Sequence, residues 1–270
     1  MRPRRLVALA LGFLAACANL PFAPTPTALP TPTAPTPLHI YADEALAYVL
    51  RDIGAAFLQT NPGTQIQWRF AAPDMLRGQS ANDSQAALVM TADTGLLDWL
   101  ARSGRASAPL PIARDPLAIL VANANPAQLE RAEDLNRNDL RVVIAKETTM
   151  LGQATRALVE NFRHDAAFGP DFPNLFYQNV RVQADSGRAV MNALIANDAD
   201  VGIAFASDAN LEPNRIKALP MPEGLNVFAT YTSVMLQPAR THTSVQALVE
   251  YLDSSQAQTL WRDYGFEPAP

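Results

Sequence analysis

The chain has 270 residues and is poor in the side chains that carry most chemistry. It has one cysteine (Cys17), three histidines and only two lysines, Lys146 and Lys217. A single thiol excludes an internal disulfide and a cysteine-built metal cluster. His39, His164 and His242 lie far apart, and no ligand-type cluster surrounds any of them. His39 falls in the first strand and reads as a packed or surface histidine. No segment matches a Walker loop, a GxGxxG turn, a GxSxG elbow or an HExxH helix. No nucleophile is seen beside a base, so hydrolytic or transfer chemistry ranks last and the chain reads as a non-enzyme. No cofactor and no metal are expected. The carboxylate pairs Glu133–Asp134 and Asp198–Asp200 sit at element edges, where capping or a solvated surface is their expected role.

Charge of one sign is also scarce. Without Arg2, Arg4 and Arg5 of the N-terminus, the 21 basic side chains fall to 18 against 26 acidic ones, a net charge of −8. That argues against nucleic acid or an anionic membrane surface as a partner. Those three arginines precede a short apolar stretch, Leu6 to Ala16. The stretch is too short for a permanent span and reads as the core of a secretion signal. It ends in Leu14-Ala15-Ala16-Cys17, which resembles a bacterial lipobox. Residues 1–17 are therefore expected to be a lipoprotein signal, with Cys17 lipidated and exported to the outer face of a bacterial membrane. A lipid would then be the chain's only hold on that membrane. Residues 18–37 are rich in Pro, Thr and Ala, with Pro21, Pro24, Pro26, Pro30, Pro32, Pro35 and Pro37. Such a tract favours polyproline II, at about 3.1 Å per residue, and directly after an anchor it suits a spacer.

The folded part starts near Leu38. Leu38–Tyr41 reads as a strand, and Glu44–Leu58 as a helix with Leu46, Val49, Leu50, Ile53 and Phe57 on one face. Ile66, Trp68 and Phe70 alternate with polar residues, as in a half-buried strand. Further strands are expected at Ala87–Met90, Leu117–Ala122, Leu140–Ala145, Val201–Phe205 and Val227–Leu236. Helices are expected at Leu96–Ala101, Gly152–Phe162, Gly187–Asn197, Val245–Leu252 and Ala257–Tyr264. Strand and helix alternate, so the fold class is α/β with mostly parallel sheets flanked by helices. Ligands of such sheets sit beyond the carboxyl ends of strands, where helix starts present unpaired N–H groups. The turns at 42–45, 71–74, 91–94, 148–152, 185–188 and 205–208 are the places to look.

Several of these turns carry a family pattern. Ile40-Tyr41-Ala42-Asp43-Glu44-Ala45-Leu46, Ala87-Leu88-Val89-Met90-Thr91-Ala92-Asp93 and Asp185-Ser186-Gly187-Arg188-Ala189-Val190 appear in order. Ala199-Asp200-Val201-Gly202-Ile203-Ala204-Phe205-Ala206-Ser207-Asp208-Ala209 follows, then Tyr251-Leu252, Ser255-Gln256-Ala257 and Tyr264-Gly265-Phe266. In order and spacing they resemble the periplasmic molybdate-binding proteins of ABC transporters, of the type II periplasmic-binding-protein fold. The resemblance implies two lobes, 38–118 with 229–270 and 119–228, with a ligand cleft between them. It also implies an ABC permease as partner, a monomer, and a small polar solute such as a tetrahedral oxyanion. In that family serine and tyrosine hydroxyls and helix-start N–H groups hold the ligand. Carried onto this chain, the positions are Glu44, Ala45, Ala72, Pro73, Thr149, Leu151, Ser186, Gly187 and Phe205.

The chain departs from the family at those positions. Ala45 and Ala72 stand where serines are expected, and Phe205 where a tyrosine would donate. Thr148-Thr149-Met150-Leu151-Gly152 replaces the usual Val-Pro-Ala-Gly turn, and Pro73 has no N–H to offer. Each lost hydrogen bond to a charged oxygen is worth roughly 1.5–3 kcal/mol. Asp43 and Glu44 fit N-capping first; as cleft residues they would instead repel anions and favour a cationic or hydroxyl-bearing solute. Thr148 and Thr149 suit caps. Ser186 with Arg188 behind it is the remaining candidate for anion contact, although Arg188 could equally brace a sheet edge through a salt bridge. Two readings follow: the solute-binding lipoprotein of an ABC importer, or a degenerate binding module serving as a surface sensor or interaction domain.

Overall fold

The computed structural model describes residues 37–269 except 238, 240 and 241. The secretion signal, Cys17 and the spacer up to residue 36 lie outside the described residues.

The order of elements is a repeated strand-to-helix alternation. Strand β1 (Leu38–Asp43) passes through a 3-10 turn, Glu44–Leu46, into α1 (Ala47–Thr60). Strand β2 (Ile66–Ala71) leads to α2 (Pro73–Asn82), and β3 (Ala86–Thr91) to α3 (Thr94–Arg102). The long β4 (Leu110–Ala122) precedes β5 (Val142–Ala145), α4 (Met150–Arg163) and α5 (Phe172–Asn179). Then come β6 (Val180–Ala184), α6 (Gly187–Ile195), β7 (Val201–Phe205) and the short α7 (Ala206–Ala209). Strands β8 (Ile216–Leu219) and β9 (Phe228–Met235), helices α8 (Thr243–Tyr251) and α9 (Ser255–Asp263), and β10 (Glu267–Pro268) complete the chain.

Two parallel sheets form the halves. In one, β1 pairs with β2 and β3; in the other, β5 pairs with β6 and β7. Among the described residues, the antiparallel pairs of named strands all involve β4 or β9, which join the halves. Leu110–Pro116 of β4 lies beside β9, whereas from Leu117 onward β4 turns to β7 and β8. The strand thus changes sheets in mid-course, and the strand order runs β2-β1-β3-β9-β4-β7-β5-β6.

The patterning explains which faces are buried. Strands β1, β3, β5 and β7 are central, covered by helices on both faces, and buried along their whole length. Near-continuous apolar runs are what such strands require. On α1 the apolar face identified by spacing is the buried one: Val49, Leu50, Ile53 and Phe57. Phe57 meets Tyr251 of α8 edge to face at 5.5 Å. Trp261 of α9 is fully buried and donates its indole N–H to the Leu252 carbonyl at 3.2 Å. In the other half Phe162, Phe168, Phe172 and Phe176 stack into an aromatic cluster under α4 and α5.

The expected strands and helices are present with small shifts at their ends, except that the strand expected at Leu117–Ala122 begins at Leu110, where it pairs with β9. Elements not expected from the sequence are α2, α5, α7, β6, β8, β10 and a 3-10 helix at Ala132–Asn136. His39 is a packed residue: its Nδ1 lies 2.6 Å from Asp83, which also accepts from the Tyr41 hydroxyl at 2.8 Å. Asp134 accepts from the N–H groups of Glu130 and Arg131, and Asp200 pairs with Arg141 at 2.6 Å.

Candidate functional site

Every parallel strand feeds its carboxyl end into one cleft. The ends of β1, β2 and β3 bring Asp43, Ala72 and Ala92 to one side. Those of β5, β6 and β7 bring Thr148, Asp185 and Phe205 to the other. The cleft has a volume of about 890 Å³. Glu44, Ala45, Ala72, Pro73, Thr149, Leu151, Ser186, Gly187 and Phe205, brought forward from the sequence, all border it. Topology makes this convergence: parallel strands of one sheet end at the same edge, and the sheet switch at β4 sets the two edges facing.

The wall from β5–β7 is built by two helix starts tied together. Thr149 caps α4, its hydroxyl accepting from the Gly152 N–H at 3.0 Å while donating to the Lys146 carbonyl at 2.7 Å. Ser186 caps α6, accepting from the Ala189 N–H at 3.2 Å. Lys146 links the loops: its N–H donates to the Ala184 carbonyl at 2.8 Å and its ammonium pairs with Asp185 at 2.6 Å. Each cap satisfies one of the first N–H groups, leaving those of the opening residues directed outward from the helix. Two glycines permit the arrangement. A Cβ at Gly152 would overlap the Lys146 carbonyl, and one at Gly187 would overlap the Asp208 carboxylate. Arg188 reaches Glu212 at 3.6 Å, so it meets the cleft and a salt bridge together.

The wall from β1–β3 has a different character. Asp43, Glu44, Asp74 and Asp93 border the cleft there, with no basic side chain beside them. Asp93 caps α3 by accepting from the Leu96 N–H at 3.0 Å. Asp43 precedes the helix but makes no capping bond. Its carboxylate instead accepts from the Thr91 hydroxyl at 3.2 Å, across the sheet. Burial lifts the Asp43 carboxyl to about 7, against the pull of hydrogen bonds from the Ala92 backbone and Thr91. Glu44 is exposed, and its side chain has no hydrogen bond or ion pair among the described residues.

Beneath the cleft lies a group that sequence reasoning missed. Asp115, in mid-β4, is fully buried and accepts from the Ser207 hydroxyl at 2.5 Å and the Ser207 N–H at 3.2 Å. It therefore pins the start of α7 to the strand that joins the halves. Burial raises the Asp115 carboxyl to about 8. Asp208, half-buried against Gly187, is lifted to about 6 by burial, opposed by the Phe205 backbone and the Arg188 charge. Tyr231 of β9 borders the cleft floor, and its buried hydroxyl has no hydrogen-bond partner among the described residues. Burial, and then the fields of Asp43, Asp115 and Asp208, push the phenol well above its ordinary value. It stays protonated and available as a donor. No local sequence signal marks Asp115 or Tyr231; only the pairing of β4 with β9 and β7 brings them to the site.

Among the described residues no group of His, Cys, Asp or Glu is arranged to hold a metal ion. No described helix is long and apolar enough to cross a membrane. The arrangement can enclose a small solute between two walls of helix starts, the β1–β3 wall carrying Asp43, Glu44, Asp74 and Asp93 as well.

Known proteins share this architecture. The molybdate-binding protein ModA of Mycobacterium tuberculosis is 26% identical over 228 residues, covering 84% of this chain and 83% of the relative. A substrate-binding domain assigned to a molybdenum ABC transporter of Clostridium difficile superposes with a TM-score of 0.75. It is 14% identical and covers 87% of this chain and 99% of its own. The sulfate-binding protein SubI of M. tuberculosis superposes with a TM-score of 0.68 at 18% identity, covering 87% of each chain. The present fold is that of these structural neighbours. Residues 38–267 match the model of the bacterial extracellular solute-binding proteins, and the chain belongs to that family.

Proposed function

We propose that this chain is the solute-binding component of an ABC importer and captures a small polar solute with an anionic oxygen group. The observation that carries this reading is the cleft itself, where the starts of α4 and α6 stand beside each other at the carboxyl ends of parallel strands. A helix start offers unpaired N–H donors and partial positive charge, so an anion can be held there without a lysine. The likeness to molybdate- and sulfate-binding proteins supports the same ligand chemistry. Glu44, Ala45, Ala72, Pro73, Thr149, Leu151, Ser186, Gly187 and Phe205 are the positions we assign to the solute. The lobes would be residues 38–118 with 229–270 and residues 119–228. The change of partner along β4 at Leu117 supports that division. Cys17 would bear the lipid, and the proline-rich spacer would set the domain off from the outer face of the membrane.

A thermal-shift titration tests capture. Molybdate, tungstate, sulfate, phosphate and a panel of compact polar metabolites are added to the purified chain. A ligand at a hundred times its Kd stabilises the folded state by about 2.7 kcal/mol. At least one solute is expected to raise the melting temperature in a saturable way; a flat response to the whole panel rejects capture. The alternative, a module that has kept the fold and lost its ligand, draws on Asp208. Its carboxylate occupies the space where a Cβ on Gly187 would stand, beside the α6 start. That alternative predicts the flat response.

A further inference from the structure

The two walls of the cleft are unlike in charge, and the difference bears on the solute. On the β5–β7 side stand two helix starts, the hydroxyls of Thr148, Thr149 and Ser186, and the Arg188 guanidinium, with two carboxylates among them, Asp185 paired to Lys146 and Asp208 beside Gly187 and close to Arg188. On the β1–β3 side the cleft is bordered by Asp43, Glu44, Asp74 and Asp93. A bare dianion seated on the first wall would face this row of carboxylates across a narrow, partly desolvated space. Like charges so placed oppose one another more strongly than in water. Tyr231 adds an independent sign of a ligand. Its fully buried hydroxyl has no partner, and leaving such a group unsatisfied costs about 1–3 kcal/mol.

We propose, building on the capture reading above, that the solute is a small zwitterion. Its anionic oxygen group lies at the starts of α4 and α6, its ammonium group turns to Asp43 and Glu44, and the Tyr231 hydroxyl donates to one of its oxygens. An ammonium has three donors and no acceptor, and its charge-assisted bonds to carboxylates are the strong kind. Asp43 is held for this role by Thr91, whereas Glu44 has no bond that would compete. This wall offers acceptors where an oxyanion would need donors.

The test compares zwitterions with their half-molecules by calorimetric titration of the full chain purified in detergent. The zwitterions are 2-aminoethylphosphonate and β-alanine. Ethylphosphonate and propionate lack the ammonium, ethylamine lacks the anion, and sulfate and molybdate serve as plain oxyanions. At least one zwitterion is expected to bind tenfold or more tighter than either of its halves and than sulfate or molybdate. Equal or tighter binding of sulfate, molybdate or an ammonium-free half overturns the zwitterion while leaving capture intact. Binding of ethylamine alone, at the strength of the zwitterion, overturns the anionic contact. Silence from every probe rejects the zwitterion, while capture is decided by the wider thermal-shift panel. Two variants locate the ammonium. Glu44→Gln lies on an exposed side chain and Asp43→Asn is close in shape, so together they separate binding from folding. Each is expected to weaken the zwitterion about tenfold while leaving ethylphosphonate unchanged or tighter. An equal loss for zwitterion and ethylphosphonate would contradict the placement.

Discussion

At the scale of single residues, the buried carboxyls of Asp43, Asp115 and Asp208 dominate the behaviour of this protein. Burial raises them to about 7, 8 and 6, all above the ordinary carboxylate value of 3.8. A group whose pKa is higher folded than unfolded binds its proton more tightly in the native state. Its contribution is therefore fully present below the unfolded value and is lost as pH rises through the folded one. Asp83, Asp134 and Asp200 are shifted the other way by hydrogen bonds, and their contribution disappears below about pH 4. Melting temperature is accordingly expected to peak near pH 4 and to decline from there toward pH 8. Asp115→Asn should flatten the upper part of that decline and melt at a higher temperature than the parent at pH 8. A melting temperature that instead rises steadily from pH 5 to pH 8 would contradict the burial account. Asp43 was visible in the sequence because it sits at a strand end with Glu44. Asp115 was not: in Arg114-Asp115-Pro116 a charge beside a proline reads as loop, and only its bonds to Ser207, 92 positions away, disclose its place.

At the scale of elements, the site depends on how closely α4 and α6 begin behind their strands. Gly152 lies against the Lys146 carbonyl, so α4 starts directly over the end of β5. Gly152→Ala forces that turn outward, and overpacking of this kind costs about 1–3 kcal/mol. In a domain of this size each kcal/mol lowers the melting temperature by about 2–4 °C. Scanning calorimetry should therefore find Gly152→Ala clearly less stable, with weakened solute binding; an unchanged midpoint would mean that the turn is looser than the geometry indicates. Elements with strong periodicity were legible. Strand β7 runs over Val201–Phe205 as the apolar run indicates, and α1 buries the face that spacing selects. The elements that escaped have weak patterns. Helix α2 is Pro-Asp-Met-Leu-Arg-Gly-Gln-Ser-Ala-Asn and buries only Leu76 and Ser80. Helix α5 carries Pro173 in its first turn, and proline there reads as a break until its neighbours are seen. Helix α5 runs into β6 with no turn residue between them, and β8 has apolar residues only at its ends apart from Ala218. Tertiary pairing, more than local preference, makes these strands.

At the scale of the whole molecule, a sheet that changes hands at β4 sets the ends of three parallel strands opposite those of three others. The strand-to-helix alternation was enough to point to those ends, because parallel sheets place their binding turns there whatever the ligand. The identity of the solute was not legible, because it depends on which side chains meet across the gap. The proposed lipid tether belongs to this scale as well. Cys17→Ala should move the chain from the membrane fraction to the soluble exported fraction and abolish labelling by a radioactive fatty acid. Unchanged membrane association would rule out a lipid at Cys17. The central claim is that one solute is gripped from both walls. A crystal structure of the full chain purified without added solute tests it most directly. The account predicts one compact ligand touching the Ser186–Gly187 turn on one side and Asp43 or Glu44 on the other. A ligand held by one wall alone, or bound outside the cleft, would contradict it.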